Sequence, residues 1–568
     1  MRKKKDKLYC ADFETTPYKQ SLIEKRTRVY LYQIMDVDTK QSKVGISIDD
    51  FFDYLKSIKY ERFIVYFHNL SFDGEFILWY LMEHNYKNVD ELVKEHTFTS
   101  LITDDGSIYV IKVKLDNGNV VEFKCSYKLM PNSISDIGKM FGIPKLNETH
   151  NYEEMKNYTS IDEVTDEELM YINNDVRILR ELIWYLKNNN MLNITLSSNA
   201  YKFWRKDKYM FSKCNLVKPD NPRINEIVDK SYRGGITKVN PQYKGKLVEN
   251  VISFDVNSLY PSVMYDNSMP VGKGEIYKSV EDGLKNGKKK FIVSVYVSRA
   301  KIIDGYQAFI GFGGFSCATH YVYKECLFNV ELNLWLEEFE LFKLCYEGEY
   351  NIVEVVGFDS ANYVFKNYID YWIEVKNNAT ITGNLPERNF AKRMLNALYG
   401  KFGMNQLRYS KVPVGVVDGE IEYQVKEKMS CYYYKPIASY ITSLARCKLV
   451  SAIIMCRDRF IYCDTDSIYL KGTEIPDIPI DDVKLGYWKF EHHYLKFKSL
   501  KAKCYLKCWE ENGKIVYDSS IAGLPKDSRG GITFDNFEDG LKIENAKKCK
   551  VRYKGGIVIK PIEFTIKV

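Results

Sequence analysis

Hydrophobic and polar positions change their period along the chain, and these changes divide it into predicted units. Up to about residue 190, apolar runs such as ERFIVYFHN and GSIYVIKVKL alternate with helical segments such as EELMYINNDVRILRELIWYLKNNN. Such alternation predicts a mixed α/β domain. The Pro/Asn-rich passage VKPDNPRINE at 217–226 predicts a joint after this domain.

After the joint, the pattern predicts a second sheet whose strands are separated by two inserts. VISFDV at 251–256 and IYCDTDSIYL at 461–470 have strand composition, and 267–362 contains further strand-like runs. PERNFAKRMLNALYGKF at 386–402 and ASYITSLARCKLVSAIIM at 438–455 predict helices. Between them, VPVGVVDGEIEYQV at 412–425 predicts a hairpin, because Asp418-Gly419 suits a two-residue type I′ turn.

Composition limits the class of protein. With 568 residues the chain is too long for one ordinary domain, and 45% hydrophobic residues suffice for several folded cores. The formal net charge of +7 permits nucleic acid as a partner without requiring it. Thirteen cysteines without a CxxC spacing argue against a disulfide framework and a tetrahedral zinc site. We see neither an apolar signal core nor an apolar run of about 18 residues, so we expect a soluble cytoplasmic protein.

The first candidate chemistry is a pair of aspartates, Asp464 and Asp466, inside the strand-like run IYCDTDSIYL. A strand period of two places both carboxylates on one face and Thr465 on the other, with Cα atoms roughly 6–7 Å apart. Two half-buried like charges at that distance need a proton or a cation between them. The pair therefore suggests a metal site, and the alternative is a solvated turn, which Asp-Thr-Asp-Ser also suits.

A two-metal site for phosphoryl transfer needs a further carboxylate, and Asp255 is the candidate. It ends an apolar run and precedes Leu259-Tyr260-Pro261, which we expect to turn the chain sharply. The Asp255 side chain and a backbone carbonyl, that of Val256, would then hold an ion and a triphosphate at the strand end. The alternative is that Asp255 caps a following helix.

A polar stripe on the helix predicted for 386–402 suggests a nucleotide site. Lys392, Asn396 and Tyr399 are spaced at i, i+4 and i+7, so they share one helix face ahead of Gly400. Lys392 suits phosphates, Tyr399 suits a base or sugar, and Gly400 allows a close approach. The alternative is an ordinary solvated helix face.

These stretches together resemble a known family. In this order and at these separations, DVNSLYP, KRMLNALYG and YCDTDS resemble the A, B and C motifs of family B DNA polymerases. ADFETTP, FHNLSFDGEF and YINNDVRIL resemble a 3′–5′ proofreading exonuclease of the DEDDy type. The matching residues are Asp12 and Glu14, expected directly after a short strand, then Asp73, and Tyr171 with Asp175 on one helix face. In such exonucleases the acids hold two metals and the tyrosine orients the attacking water.

Two further elements narrow the resemblance, and so do two inserts, the 267–362 segment and the hairpin predicted for 412–425. Tyr232-Arg233-Gly234-Gly235 is similar to the YxGG element with which protein-primed polymerases hold the template strand, and Lys503-Cys504-Tyr505 is similar to their KxY element at the primer end. The lysines around the latter suit a nucleic-acid backbone, with a charged edge strand as the alternative reading. The chain therefore resembles the protein-primed family B DNA polymerases of small tailed phages with terminal-protein-capped linear genomes (Salasmaviridae-like).

The resemblance implies an architecture. We expect a mixed α/β multidomain fold, in which an RNase H-like 3′–5′ exonuclease domain precedes a right-hand polymerase domain with two terminal-protein-region inserts. The expected units are the exonuclease domain 1–193, the first part of the palm 194–266, terminal-protein region 1 at 267–362, the fingers 363–403, the terminal-protein region 2 hairpin 404–433, the second part of the palm 434–535, and the thumb 536–568.

The resemblance also implies roles for residues. The expected metal ligands are Asp255, Val256, Asp464 and Asp466 for polymerisation, and Asp12, Glu14, Asp73 and Asp175 for the exonuclease. Tyr260 would exclude ribonucleotides. The expected nucleotide-binding residues are Ser258, Leu259, Tyr260, Lys376, Arg388, Lys392, Asn396, Tyr399 and Gly400. The expected DNA-binding residues are Thr15, Asn69, Phe72, Ser126, Lys145, Tyr232, Arg233, Gly234, Gly235, Lys503 and Tyr505.

Two exonuclease stretches depart from the family's pattern. Where the family has a leucine after a Ser or Thr, the chain has Tyr127 after Ser126. Where the family has an apolar residue three positions after a lysine, the chain has Glu148 after Lys145. These differences bear on the roles of Ser126 and Lys145.

The implied cofactor is Mg²⁺, two ions per active site, with Mn²⁺ as the alternative. The implied partners are a DNA primer-template, deoxynucleoside triphosphates, a terminal protein that primes synthesis and a single-stranded-DNA-binding protein, with no membrane partner. We expect a monomer acting in the cytoplasm of an infected bacterial host. The alternatives are a DNA-end-binding exonuclease without polymerase activity, a non-enzymatic protein that caps or packages linear DNA, and an RNA-primed polymerase of the same family.

Overall fold

The computed structural model describes residues 6–147, 155–314 and 317–568. The first strands are β1 (Lys7–Thr15), β2 (Val29–Asp36), β3 (Ser42–Gly45), β4 (Arg62–Phe67), β5 (Lys87–Asn88), β6 (Thr97–Ile102), β7 (Ile108–Lys114) and β8 (Val120–Cys125). The first helices are α1 (Tyr18–Glu24), α2 (Ile48–Ser57), α3 (Asp73–Glu83), α4 (Ile134–Met140), α5 (Asp166–Asn188), α6 (Leu196–Trp204), α7 (Lys208–Lys213) and α8 (Pro222–Ser231).

The middle of the chain alternates sheet and helix. Its strands are β9 (Thr237–Val239), β10 (Leu247–Val256), β11 (Met269–Tyr277), β12 (Lys290–Ile302), β13 (Gly311–Gly314), β14 (Cys317–Tyr323), β15 (Cys326–Trp335), β16 (Tyr346–Ala361), β17 (Leu407–Val417) and β18 (Glu420–Met429). Its helices are α9 (Leu259–Asp266), α10 (Val280–Lys285), α11 (Leu336–Cys345), α12 (Lys366–Ile381), α13 (Leu385–Phe402) and α14 (Lys435–Met455).

The last part of the chain consists mainly of strands. The strands are β19 (Phe460–Asp464), β20 (Ser467–Lys471), β21 (Trp488–Lys501), β22 (Cys504–Glu511), β23 (Lys514–Ile521), β24 (Lys542–Tyr553) and β25 (Gly556–Thr565). The 3₁₀ turns of the described chain are Ser126–Lys128, Ile161–Glu163, Pro241–Tyr243, Arg457–Arg459 and Lys526–Ser528.

The N-terminal sheet has the order β3-β2-β1-β4-β8-β7-β6-β5, with β1 parallel to β4 and β4 parallel to β8. Helix α5 packs against β1 and β2, and it begins with a capping box between Thr165 and Glu168. Asp12 and Glu14 lie within β1, so the prediction that they follow a strand is wrong. The mixed α/β pattern itself is confirmed.

The second sheet has the order β23-β22-β21-β10-β20-β19-β9, and β10 lies in its middle. The chain leaves this sheet at the end of β10 and returns to it only at β19. The predicted single strand at 461–470 is wrong, and the alternative of a turn in Asp-Thr-Asp-Ser is confirmed: β19 and β20 form a hairpin whose turn is Thr465-Asp466. The alternative of a charged edge strand is also wrong for the lysine-rich segment, because β21 and β22 are each paired on both sides.

The segments between β10 and β19 form separate structures. Residues 267–362 contain the sheet β11-β16-β12-β15, the pair β13-β14 and helices α10 and α11. The predicted hairpin is confirmed as β17-β18, and Asp418 and Gly419 have φ values of 49° and 83°, as a type I′ turn requires. Leu259-Tyr260-Pro261 begins α9 instead of turning the chain sharply, because proline is tolerated in the first turn of a helix.

The predicted joint at 217–226 is wrong in part, because it contains the start of α8. The Asn221 side chain accepts a hydrogen bond from the Arg223 N–H, and Pro222 occupies the first turn. Ile224, Ile227 and Val228 belong to the largest hydrophobic core, which also contains residues of the first sheet, the second sheet and the 267–362 segment. The units therefore share one core in this region.

Helix α14 is the central helix of that core. Among the described residues it alone is long and apolar enough to cross a membrane by length and composition, which corrects the expectation that no such run exists. Most of that apolar stretch is buried inside the protein. Its composition is therefore that of a core helix of a folded protein.

Candidate active sites

The first site lies where β10 meets the β19-β20 hairpin. Asp255 pairs with Ser467 on one side and Lys489 on the other. The N–H of Val256 donates to the main-chain oxygen of Asp466 over 2.8 Å. The pairing brings Asp255 to the turn that carries Asp466, and Asp255 does not cap α9.

Burial and repulsion disturb both carboxylates. Burial, together with the charges of Asp466 and Glu491, raises the pKa of Asp255 to about 7, against opposing effects of Lys392 and Lys489. Burial also raises the pKa of Asp466, and the charge of Asp464 adds to this. Two half-buried carboxylates that favour protonation form a site at which a cation would relieve the repulsion.

Asp464 is held differently from the other two aspartates. Its Oδ1 accepts hydrogen bonds from the Thr237 hydroxyl at 2.8 Å and the Lys503 ammonium at 3.2 Å. One oxygen of Asp464 is thus already hydrogen-bonded to Thr237 and Lys503. Within residues 6–147, 155–314 and 317–568, no three His, Cys, Asp or Glu side chains are arranged to hold one ion. Two carboxylates still suit Mg²⁺, which keeps water or substrate phosphates at its remaining positions.

The predicted stripe on α13 faces these carboxylates. Lys392 acts electrostatically on both Asp255 and Asp466, and the ring of Tyr399 stacks on that of Tyr260 with centroids 4.2 Å apart. Lys392, Asn396 and Gly400 are exposed and line a large cavity. The stripe therefore offers a cation, an amide and a stacked pair of phenols beside the acids.

Further predicted nucleotide ligands surround this stripe. Burial lowers the pKa of Lys376, and the nearby charges of Arg388 and Lys392 lower it further. Three clustered cations suit a triphosphate. Ser258, with φ 54°, precedes the first turn of α9, and Leu259 is buried behind it.

The second site lies in the N-terminal sheet. Burial raises the pKa of Asp12 well above its usual range, and the charges of Asp73, Asp175 and Glu14 raise it further. Burial also raises the pKa of Asp73, the first residue of α3, to about 7. The structure therefore brings together all four acids from β1, α3 and α5, in a second site of the same electrostatic kind.

Lys145 and Tyr171 complete this second site. The Lys145 ammonium lies 2.9 Å from an oxygen of Asp175 and 5.1 Å from the centroid of the Tyr171 ring. Lys145 thus lies at the acids, directly beside Asp175. Glu148, whose charge departs from the family's pattern, lies outside the described residues.

Of the predicted DNA ligands of this site, three lie at or near the ends of its strands and helices, and one is buried. Thr15 ends β1, Asn69 follows β4 with φ 65°, and Phe72 immediately precedes α3. Ser126 is fully buried, and its hydroxyl bonds the Phe67 carbonyl and His68. The structure thus places Ser126 behind the site instead of on its surface.

Two residues near this site were missed by the sequence reasoning. His68 contacts both Ser126 and the carbonyl of Asn132, each at 2.9 Å, and burial lowers its pKa to about 4, which keeps it neutral. Lys550, from β24, lies with its ammonium 5.6 Å from the Phe72 ring and interacts with Asp73. The basic run around 550 was the available signal for the second of these, but no local pattern links it to Asp73.

The predicted YRGG and KCY elements lie on either side of the β19-β20 turn. A Cβ on Gly235 would come within 2.8 Å of the Thr465 side chain, so only glycine fits there. A Cβ on Gly403 at the end of α13 would likewise meet the Tyr232 hydroxyl at 2.2 Å. From the other side, the N–H of Lys503 donates to the Tyr462 hydroxyl, against whose ring Tyr505 packs.

A cavity of about 1170 Å³ lies between the N-terminal sheet, α6, α13 and the base of the β17-β18 hairpin. Its basic and aromatic lining residues are Lys128, Lys392, Arg393, Lys401, Arg408, Lys428, Tyr109, Tyr127, Tyr409 and Tyr433. No aspartate or glutamate is among the lining residues in the described chain. Cations interleaved with aromatic rings suit a single strand of nucleic acid.

A third feature joins distant parts of the chain. The buried Glu75 of α3 accepts a hydrogen bond from the Tyr423 hydroxyl of β18 at 3.1 Å and pairs with Arg552 of β24 at 3.3 Å. The Arg552 guanidinium also lies 4.5 Å from the Tyr423 ring centroid. We call these three residues the clasp. Nearby, the N–H of Thr27 donates to the carbonyl of Lys554 at 2.8 Å.

Comparison with known proteins gives consistent results. The family model described as "DNA polymerase type B, organellar and viral" matches residues 55–161 and 143–485. The chain is 31% identical to a DNA polymerase of Bacillus phage Nf, covering 99% of this chain and 100% of that protein. It is 30% identical to the DNA polymerase of Bacillus phage phi29, covering 99% of each chain.

Relatives also occur in phages of other hosts, and solved structures have the same fold. The chain is 27% identical to a DNA polymerase of Streptococcus phage Cp-1 over 98% of both proteins. Crystalline phi29 DNA polymerase matches with a TM-score of 0.88 at 28% identity, covering 99% of this chain and 100% of that one. Its complex with primer-template DNA and incoming nucleotides matches with a TM-score of 0.87 at 29% identity, over the same shares.

Proposed function

Because the chain belongs to the family of organellar and viral type B DNA polymerases, we propose that it replicates a linear phage genome, with proofreading and with initiation on a terminal protein. Membership confirms the predicted family, and the match over nearly the whole chain confirms the mixed α/β multidomain fold. The protein is a DNA-directed DNA polymerase. The boundaries of its units and the roles of individual residues remain our proposals.

The observation that carries the polymerisation site is the position of Asp255 and Asp466 opposite the α13 stripe. The two acids and the main chain at Val256 would hold metal, with Asp464 supporting the turn from the side. Lys392, Lys376 and Arg388 would bind the triphosphate, while Ser258, Leu259, Asn396 and Gly400 line the space around it. The stacked Tyr260 would leave no room for a ribose 2′-hydroxyl, and Tyr399 would contact the base or sugar.

Type B DNA polymerases generally need divalent metal ions, and we propose Mg²⁺, with Mn²⁺ as the alternative. The carboxylate oxygens of both sites are the ligands that this hard cation prefers, and the raised pKa values of Asp255 and Asp73 support sites that favour added positive charge. When bound, paired ions would activate the attacking oxygen and stabilise the leaving group. The chain's own residues fix the geometry and neutralise the phosphates.

We propose that Asp12, Glu14, Asp73 and Asp175 form the 3′–5′ exonuclease centre, with Tyr171 orienting the attacking water. Thr15, Asn69, Phe72 and Lys145 would hold the single-stranded 3′ end, and Ser126 would act from behind by fixing His68. Lys503 and Tyr505 would hold the primer end at the polymerisation site. The YRGG residues 232–235 and the basic cavity would hold the template strand.

Initiation on a terminal protein is proposed from the two inserts. The 267–362 sheet and the β17-β18 hairpin separate the three polymerase motifs, and the match to the DNA polymerase of phage phi29 spans 99% of each chain, both inserts included. The three relatives named above are proteins of bacterial phages, and from them we propose action in the cytoplasm of an infected bacterium. The proposed partners are primer-template DNA, deoxynucleotides, the terminal protein and a single-stranded-DNA-binding protein, with the enzyme acting as a monomer.

Two assays test this function. In the first, a labelled hairpin primer should be extended when deoxynucleotides and Mg²⁺ are present and shortened when nucleotides are withheld. Shortening without any extension would favour the alternative of an exonuclease that lacks polymerase activity. In the second, the cognate terminal protein should accept a labelled deoxynucleotide, and extension that never depends on it would favour an RNA-primed polymerase.

Metal should stabilise the protein more at high pH than at low pH. The pKa of Asp255 is raised to about 7 in the metal-free fold, so the stability that its protonation contributes is lost as the pH rises through that value. Metal needs the deprotonated carboxylate, so Mg²⁺ should raise the melting temperature strongly near about pH 8 and weakly near about pH 6. Thermal unfolding with and without Mg²⁺ measures this.

The matched variant for that measurement is Asp255→Asn. Asp73 in the second site also has a pKa of about 7, so the variant should lose only part of the pH-dependent stabilisation. An unchanged Mg²⁺ effect in Asp255→Asn would show that the first site does not bind the ion.

Breaking the clasp should shorten the stretch copied per binding event. Glu75→Gln keeps the side-chain size but removes the charge that holds Arg552 and Tyr423, so the contact between α3, the hairpin and β24 should loosen. We expect severalfold shorter products when a heparin trap prevents rebinding, with unchanged addition of a single nucleotide. Glu61→Gln, at an exposed position just before β4, is the control, and full-length products from Glu75→Gln would contradict a role of the clasp in keeping the enzyme on its DNA.

A further inference from the structure

A buried carboxylate in the 267–362 segment contacts two arginines of the polymerase sheet region. Glu338 of α11 is 1% exposed. Its oxygens accept hydrogen bonds from Arg446 of α14 at 2.9 and 2.8 Å, and from Arg233 of the YRGG element at 2.9 Å. Burial would raise the pKa of Glu338, but the two guanidinium groups lower it to about 2. The carboxylate is therefore charged, and it is held by these two arginines and by the Ser443 hydroxyl, which donates to it at 3.0 Å.

Arg446 passes this constraint to the main chain of the YRGG element. The Nε and Nη2 atoms of Arg446 bind Glu338, which leaves Nη1 to donate to the carbonyls of Arg233 at 2.6 Å and Gly234 at 3.2 Å. A planar guanidinium held at two corners has no rotational freedom at the third. The position of Glu338 thus fixes where these two peptide groups lie.

The residues that follow the YRGG element hold the Thr465-Asp466 turn. The Ile236 carbonyl accepts a hydrogen bond from the Thr465 N–H at 2.7 Å, and Gly235 lies against the Thr465 side chain. The Thr237 hydroxyl donates to Asp464. Thr465 has φ 57°, a strained conformation for a β-branched residue, which persists only where the surroundings enforce it. Asp466 is the next residue along this turn.

We propose that Glu338 and Arg446 are positioning residues for nucleotide addition, which fix the Asp466 turn through the YRGG element. The 267–362 segment then contributes to the polymerisation centre without placing any side chain in it. Movement of α11, such as a partner bound to this segment would cause, would be transmitted to Asp466. This inference rests on the proposed role of Asp466 as a metal ligand.

The decisive variant replaces both Glu338 and Arg446 with apolar residues, as Glu338→Leu together with Arg446→Met. Replacing a buried ion pair by apolar side chains of similar volume is often tolerated in folding, whereas removing one partner leaves a buried charge. The double variant also removes the donor to the Arg233 and Gly234 carbonyls. Glu338→Gln is measured beside it, and Glu337→Gln is the control, since Glu337 on the same helix instead accepts a bond from Tyr440.

Three quantities are measured for each variant: the melting temperature, steady-state single-nucleotide addition on a primer-template, and degradation of single-stranded DNA. For the double variant we expect unchanged degradation and only a small fall in the melting temperature, because Arg233 loses its bond to Glu338. Its kcat for addition should fall by about tenfold or more while the KM for the nucleotide changes by less than about threefold. A loss of packing alone would lower the melting temperature and both activities together.

The outcomes separate this inference from the function on which it rests. A double variant that folds normally and adds nucleotides at the wild-type kcat overturns the inference. If Asp466→Asn also retains addition, the proposed site itself is wrong. If Asp466→Asn abolishes addition while the double variant is normal, only the positioning role fails. Glu337→Gln should match the wild type in every measurement.

Discussion

Asp466→Asn is expected to lower nucleotide addition by at least about a thousandfold, equivalent to ~4 kcal/mol of transition-state stabilisation. The substitution keeps the size of the side chain but removes the charge that would hold metal between Asp466 and Asp255. The turn itself should survive, because Asp466 contributes to it through its main-chain oxygen, which accepts the Val256 N–H. Extension of a labelled hairpin primer over time measures the loss.

Degradation of the same primer without nucleotides is the internal control, because the acids proposed for the exonuclease centre lie on β1, α3 and α5, away from Asp466. Asp458→Asn, at an exposed position just before β19, is the matched substitution and should extend the primer normally. Asp464→Asn should lose less than Asp466→Asn, since one Asp464 oxygen is already bound by Thr237 and Lys503. Equal losses for both would assign Asp464 a direct role, and normal extension by Asp466→Asn would contradict the site.

Asp12→Asn is expected to abolish the shortening of single-stranded DNA, by about a thousandfold or more, while primer extension continues. Asp12 has a pKa raised by burial and by the charges of three other acids, so it lies at the electrostatic centre of that cluster. Removing its charge should leave too few carboxylates to hold ions there. Release of labelled mononucleotide from a single strand measures the effect.

The same substitution should raise the melting temperature of the metal-free protein. Asp12 is crowded by like charges, and a neutral amide relieves that repulsion, a gain in stability that is typical of functional residues. Asp49→Asn, exposed on α2 of the same part of the chain, should change neither degradation nor stability. Retained degradation by Asp12→Asn, or a clear fall in its melting temperature, would contradict the proposed role.

Local patterns were sufficient for some elements and insufficient for others. The Asp418-Gly419 turn and the α13 stripe could be predicted because each depends on residues next to one another in sequence. The Thr465-Asp466 turn could be given only as an alternative, because the tyrosines and isoleucines around it favour a strand, while the Ile236 carbonyl that holds the turn comes from far away in the chain. Periodicity cannot show which distant group compensates a strained residue.

The candidate sites show the same limit. The proposed catalytic acids could be located because the family's motifs surround each of them, whereas Glu338, Lys550 and the clasp carry no motif. Glu75 and Arg552 lie near opposite ends of the sequence, and Glu338 meets Arg446 only through the packing of α11 on α14. Ser126 shows the converse, since a motif position placed on the DNA surface by resemblance is buried in the structure.

The separation of Asp255 and Asp466 in the chain has a consequence for how the protein is made. A ribosome has already translated all four acids of the proposed exonuclease centre once it reaches Asp175. The polymerising centre must wait for β19 and β20, because β10 finds its central neighbour only after both inserts have emerged. Such distant pairing is slow to form. The newborn chain therefore completes the elements of the proposed exonuclease centre well before those of the proposed polymerisation site.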